Sequence, residues 1–223
     1  IANMIDAELN DIKNAINSLH LKYKSTFNQN ANDSEKIQFK TGIVLAPNEL
    51  TPTQKEIGTT KSLNDQCTNQ YGALEKVLKG DLLGPKGGSP VLIFQSGGSN
   101  YVLDGHHRWS QFAAVRPGDK CVQCAAISAP GVKSPEAALA LCHTIIFALH
   151  GDSPTKNWSG ENLLEMDEKS AIVLAANLME KGEGAGSNGN VVEIAIKAGL
   201  LPKDSSKEDF AKLLGKNAAN MNK

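Results

Sequence analysis

Residues 91–108 do more than any other stretch to limit what this chain can fold into. An apolar run, Val91-Leu92-Ile93-Phe94, is followed by Gly97-Gly98-Ser99-Asn100 and then by Tyr101-Val102-Leu103. Two short apolar segments around a glycine pair specify a β-hairpin, with strands over 91–95 and 101–103. The second strand stops at Asp104-Gly105. Trp109, Phe112 and Ala113 then recur at helical spacing and predict a helix over 109–115. Asp104 to Arg108 therefore falls on a strand-to-helix junction. The first N–H groups of a helix have no intrahelical partner, and with the helix dipole they attract an anion. Gly105 lets the backbone approach a ligand closely. Arg108 offers a planar fork for phosphate or carboxylate, and Asp104, His106 and His107 add acid–base or metal-binding groups. The same residues also suit a plain turn, with Asp104 as helix N-cap and the histidines as a solvated first turn.

The rest of the chain frames this junction. A length of 223 residues allows one good-sized domain or one domain with extensions. Residues 4–24 carry Ile5, Leu9, Ile12, Ile16 and Leu19 on one stripe and predict an amphipathic helix, laid on the domain or offered to a partner. Residues 28–34 read as a polar linker. Ile43-Val44-Leu45 is a strand, and residues 62–78 form a helix loosened near Gly72. The Gly/Pro-rich stretch 80–90 is a surface loop or flap, and residues 121–128 return as a strand. Mixed strands and helices of this kind specify a small α+β domain over 41–130, preceded by the N-terminal helix and linker at 1–40. From 131 to 223 the chain reads as a helical extension. Ser134-Pro135 opens one helix, and others are expected at 166–181, 191–198 and 207–214.

Charge bears on partners. Formal net charge is -1, and only Arg108 and Arg116 interrupt a basic complement that is otherwise lysine. Residues 41–150 hold 9 basic and 8 acidic side chains, and residues 151–223 hold 9 and 11. Neither half is the cationic surface that phosphate-backbone binding requires, so duplex DNA should bind weakly or not at all. No apolar run reaches the ~18 residues of a membrane span, and no membrane association is expected. The sequence begins at Ile1 without a methionine, as a processed chain or a fragment would. Cys121, Cys124 and Cys142-His143 invite a zinc reading. The second half of a zinc spacing is missing, however, and small buried hydrophobes account for them as well.

The segment Asp104-Gly105-His106-His107-Arg108 resembles the nucleotide-binding box of the ParB/sulfiredoxin superfamily. That box is a Gly-x-x-Arg at the end of a hairpin strand, with a small residue, here Ala113, a few positions into the helix. Leu50-Thr51-Pro52-Thr53-Gln54 is similar to the family's upstream Leu-x-Pro-x-Gln motif, and Ser62-Leu63 to the start of the next helix. The Asp-Gly-His-His-Arg variant resembles the ParB-like nucleases common in phages and mobile elements. The likeness spans roughly residues 42–127, and its specific part is the central box.

The resemblance implies a ParB/sulfiredoxin-like fold binding a nucleotide or phosphate at Gly105, His106, His107 and Arg108, with Mg²⁺ and a nucleoside triphosphate as the cofactor set. Asp104 and His106 are then the candidates for metal or proton work, and Glu49 or Glu56 for a base or magnesium ligand. Family members hydrolyse nucleotides, transfer phosphoryl groups or cut nucleic acid. Sulfiredoxin's catalytic cysteine is replaced here by His106, which argues against sulfinic-acid reduction. ParB's Glu-Arg-Arg becomes His106-His107-Arg108, which leaves the base unspecified. The other reading is a non-catalytic interaction module of an assembly such as a phage virion, partnered through the N-terminal helix. The location follows the reading: the cytoplasm of a host cell, or a phage particle. A working site should place His106, His107 and Arg108 on a concave surface open to solvent.

Overall fold

The computed structural model describes residues 38–80, 90–129, 160–181 and 190–221, with Ala140 and Thr144. The expected helix at 4–24, the linker at 28–34, most of the helix opened by Ser134-Pro135 with Cys142-His143, and most of the stretch 80–90 lie outside the described residues.

Five strands make one mixed sheet: β1 (Gln38–Leu45), β2 (Leu50–Pro52), β3 (Val91–Ser96), β4 (Ser99–Asp104) and β5 (Val122–Ser128), in the order β1-β5-β3-β4-β2. The hairpin β3–β4 lies where the glycine pair puts it, Gln95 opposite Asn100 and Ser96 opposite Ser99. β3 runs parallel to β5, which pairs antiparallel with β1. Central β3 is buried from Val91 to Phe94 on both faces, which is why it reads as an unbroken apolar run rather than an alternation. Val91, Ile93, Val102, Cys124 and Ala126 turn one face into the main core. Leu92, Phe94, Leu103, Ala125 and Ile127, each one residue out of phase, are buried on the other face.

Six helices accompany the sheet among the described residues: α1 (Asp65–Thr68), α2 (Ala73–Lys79), α3 (His106–Val115), α4 (Glu168–Lys181), α5 (Val191–Lys197) and α6 (Lys207–Ala219). The architecture is α+β, as expected. The loosening near Gly72 is a real break. Asn69, Tyr71 and Gly72 all have positive φ, and Asn69 Oδ1 restarts the chain by accepting from Leu74 N at 3.0 Å. Ahead of α1 the chain makes a π-turn over Thr60–Asn64. α3 begins three residues earlier than its apolar spacing predicts, because Gly105 serves as its N-cap.

The C-terminal helices share one core with the sheet. Phe210, Ala211 and Leu214 of α6 and Ala171 and Ala175 of α4 are fully buried in the cluster that holds Trp109, Phe112 and Val102. Asn217 Nδ2 donates to Ala114 O at 2.9 Å, so α6 is fastened to α3 as well as packed on it. Ser206 opens α6 with a reciprocal cap to Asp209. No helix among the described residues is long and apolar enough to cross a membrane.

Trp109, 1% exposed, ties α3 to the segment before β2 through Nε1, which donates to Pro47 O at 2.9 Å. Trp109→Phe keeps the aromatic packing but strands that carbonyl. We expect a loss of about 1–3 kcal/mol in urea unfolding with an unchanged slope. A loss near zero would show that the bond contributes nothing.

Candidate functional site

The two motifs separated by some fifty residues of sequence are neighbours in the sheet. β2, the Leu50-Thr51-Pro52 of the upstream motif, lies parallel to β4 with Leu50 opposite Asn100 and Pro52 opposite Val102. No strand is expected there from the sequence. With three residues and a proline at its end, its strand character comes wholly from the partner. This pairing delivers Thr53 and Gln54 to the end of β4, beside the box.

His106 joins the two. Its Nε2 accepts the backbone N–H of Thr53 and of Gln54, each at 3.2 Å, with Thr53 Oγ1 3.3 Å away. Thr53 Oγ1 donates to Val102 O at 2.6 Å, and the Val102 backbone hydrogen-bonds the ring as well. An imidazole whose Nε2 accepts two donors is neutral, with its proton on Nδ1. Burial pushes the His106 pKa down to about 4; nearby His107 pushes the same way, while Asp104 and the Val102 bond oppose the shift. The ring is 4% exposed rather than open to solvent as expected. The cause is helical phase: His106 stands three residues before Trp109 and seven before Ala113, on the face that α3 presents inward.

Asp104 is open to solvent, whereas Arg108 beside it is mostly covered rather than open as expected. Asp104 is the last residue of β4 and is not a cap, since Gly105 holds the N-cap position and no side chain caps α3. The Asp104 side chain is 64% exposed, and Arg108 Nη2 lies 3.4 Å from its Oδ2 with the Arg108 side chain 16% exposed. The guanidinium folds over Gly105. A Cβ at Gly105 would come 3.1 Å from Arg108 Nη2 and 3.3 Å from Val91 Cγ2, and φ there is +92°. Both the left-handed backbone and the close approach therefore call for glycine. His107 is half-buried, and its carbonyl accepts from Ser110 Oγ at 3.1 Å.

Other expectations resolve differently. Glu49 Oε2 caps the turn before β2 by accepting from Ala46 N at 2.7 Å. It stands at the opposite end of β2 from Thr53, on the order of 10 Å along the strand, so it is a cap rather than a base or metal ligand at the box. Glu56 lies in the loop beyond Gln54. Cys67, Cys121 and Cys124 are free and buried, and burial raises all three thiols, Cys121 to about 11 and Cys124 to about 12. Such thiols are protonated in the metal-free chain. Among the described residues no group of three or more His, Cys, Asp or Glu side chains is placed to hold a metal. Arg116, the other arginine, is structural: it donates to Asp119 Oδ2 at 2.7 Å and to Leu78 O at 2.6 Å.

Several contributors escaped the sequence reading. A buried polar seam backs α3. Ser62 Oγ is 2.6 Å from Ser110 Oγ, and Gln66 Nε2 donates to Gln111 Oε1 at 3.0 Å. Because Ser110 spends its proton on the His107 carbonyl, Ser62 is the donor between the serines. From the C-terminal region, Asn162 Oδ1 accepts from Ile57 N at 3.0 Å and its Nδ2 donates to Lys55 O at 3.0 Å. A separate depression of about 540 Å³ lies along the inward face of α3, lined by Pro47, Leu50, Pro52, Trp109, Asn217 and Met221 among others. No family model, curated protein or solved structure matches the chain.

Proposed function

We propose that the chain is a nucleotide- or phosphate-binding module of the ParB/sulfiredoxin type, with the phosphates over Gly105–Arg108. The observation that carries this reading is the clasp between the two motifs: the upstream strand is paired with β4, and Thr53 and Gln54 are hydrogen-bonded to His106 within the box. Around it lie the N-terminus of α3, which no side chain caps, and the Arg108 fork folded over Gly105.

Asp104 stands 3.4 Å from Arg108 and would repel an anion that the arginine attracts. A divalent cation resolves this conflict. The exposed carboxylate fits one oxygen position of Mg²⁺, whose remaining positions suit phosphate oxygens and water. When bound, the ion supplies charge neutralisation at the phosphates. Arg108 holds the anion, Asp104 the cation, and His106 the shape of the turn.

Binding without turnover is the second reading, and one observation favours it. His106 is neutral, buried and engaged through Nε2, so it is not placed to exchange protons with a ligand at neutral pH. A module of an assembly such as a phage particle needs no more than this. A hydrolase or nuclease of phage or mobile-element origin needs phosphate release or nicking in the presence of Mg²⁺, and that assay decides between the two.

The binding test is a thermal-shift and calorimetric screen of ATP, CTP and GTP with Mg²⁺. A ligand at a hundred times its Kd adds ~2.7 kcal/mol of native-state stability. Asp104→Asn gives a signed result. With Mg²⁺ the affinity should fall roughly tenfold; in chelator it should hold or rise, because a repelling charge has gone. No shift with any nucleotide would end the proposal.

A further inference from the structure

We propose that the depression between β2, α3 and the end of α6 is a binding site for a small uncharged ligand: a flat apolar ring carrying an N–H donor, as an aromatic primary carboxamide does. The site is independent of the phosphate reading and uses none of the residues assigned there to the anion.

At about 540 Å³ the depression has the size of small-molecule sites. Leu50, Pro52, Ala113 and Met221 supply apolar walls, backed by Trp109, which is 1% exposed. The walls are tied to one another before any ligand arrives. Trp109 Nε1 donates to Pro47 O, and Asn48 N donates to Pro117 O at 2.9 Å, so the segment before β2 is fixed to both ends of this face of α3. Asn217 Nδ2 donates to Ala114 O and fixes the end of α6 to the same helix. A site held in this way loses little binding energy to ordering its own walls.

The polar part of the lining decides what can bind. No Lys, Arg, Asp, Glu or His lines the depression. An ion entering it would give up water with no opposite charge in return. The hydrogen-bonding groups that remain are mainly acceptors. Pro47, Pro52 and Pro117 have no N–H. The N–H groups of Asn48 and Leu50 are already given to Pro117 O and Pro47 O. Asn48 and Thr51, whose side chains can donate, are exposed to water instead.

Asn217 and Asn220 differ from these. Each gives a side-chain N–H to a backbone carbonyl, Ala114 O at 2.9 Å and Lys216 O at 2.8 Å. A carboxamide that turns its nitrogen to a carbonyl turns its oxygen away from it. Neither Oδ1 accepts a hydrogen bond among the described residues. Two acceptors beside an apolar wall therefore select a ligand that brings the donors.

Benzamide and acetophenone test this directly. They share the ring and the carbonyl and differ only in NH₂ against CH₃. Added to the whole chain, benzamide should shift the Trp109 indole N–H signal in a nitrogen–proton correlation spectrum, and the shift should saturate. Trp109→Phe identifies that signal by deleting it. Benzamide should bind about tenfold tighter than acetophenone, as one or two added hydrogen bonds would give. Benzoate, the same shape with a charge, should not shift the signal. Asn220→Leu keeps the wall and removes one acceptor, so it should lose most of the preference for benzamide. Asn220 is exposed, and the variant's melting temperature should stay within a few degrees of wild type.

Equal affinity for benzamide and acetophenone, or a preference unchanged in Asn220→Leu, would overturn the role given to the two acceptors and with it the proposal. Benzoate binding as tightly as benzamide would overturn the uncharged class. No saturable shift with benzamide would leave the depression as a surface hollow without a ligand.

Discussion

Between pH 6.5 and pH 4 the chain should lose about 3 kcal/mol of stability, and His106→Gln should remove most of that dependence. The unfolded histidine titrates near its ordinary 6.5, while the folded ring is held down to about 4. In this window the unfolded state binds the proton and the folded state does not, so stability rises with pH up to 6.5 and is flat above it. Each unit of separation is worth ~1.36 kcal/mol. The two N–H groups aimed at Nε2 give the geometric reason, because a proton there would be driven against two donors. Asp167 and Asp209 act lower on the scale. Serine hydrogen bonds hold both carboxylates below their usual range, so their contribution is present above about pH 4 and fades only below it. Chemical denaturation at pH 7.5, 5.5 and 4.5 checks the prediction. A flat wild-type profile over that range would show that the His106 clasp is not formed in solution.

That clasp was half legible in the sequence. The hairpin and the helix after it could be read from two apolar runs around a glycine pair and the 3.6-residue spacing that follows; the hairpin stands where the pattern puts it, and the helix starts three residues early. The phase of the same helix already held more. His106, Trp109 and Ala113 fall on one side of α3, so the burial of the first histidine followed from spacing alone, whereas Arg108, on another side, is mostly covered over Gly105 as well. Adjacency in the chain, His106-His107-Arg108, suggested instead a trio facing one ligand. The strand character of Leu50–Pro52 was not legible, because three residues ending in proline become a strand only when β4 lies alongside. Nor was Asn162, whose partners Lys55 and Ile57 are more than a hundred residues away. Ser110 and Gln111 are polar residues of α3 that no signal in the sequence marks as buried. They are buried because the polar seam of Ser62 and Gln66 and the covering helix α6 close over α3, which no local period encodes.

Arg108→Ala should weaken nucleotide binding by roughly a hundredfold, the equivalent of about 3 kcal/mol for charge-assisted bonds to a phosphate. The fold should be left nearly intact. The ion pair with Asp104 is longer than an ideal one and its carboxylate is largely in water, so its loss costs at most ~1 kcal/mol. Gly105 keeps its backbone conformation, since Val91 and the β4 pairing hold it from the other side. Arg108→Lys should recover part of the affinity, because a point charge replaces a planar fork that donates through two nitrogens. The pattern across the three proteins is what discriminates. If phosphate is read by the fork, affinity orders as Arg, Lys, Ala with clear gaps between them, and the Mg²⁺ requirement conferred by Asp104 persists in the lysine variant. If only bulk positive charge matters, Lys matches Arg and added salt erases the difference from Ala. Equal affinity for all three in calorimetry would place the ligand elsewhere on the molecule and leave Arg108 as a cover for the Gly105 turn.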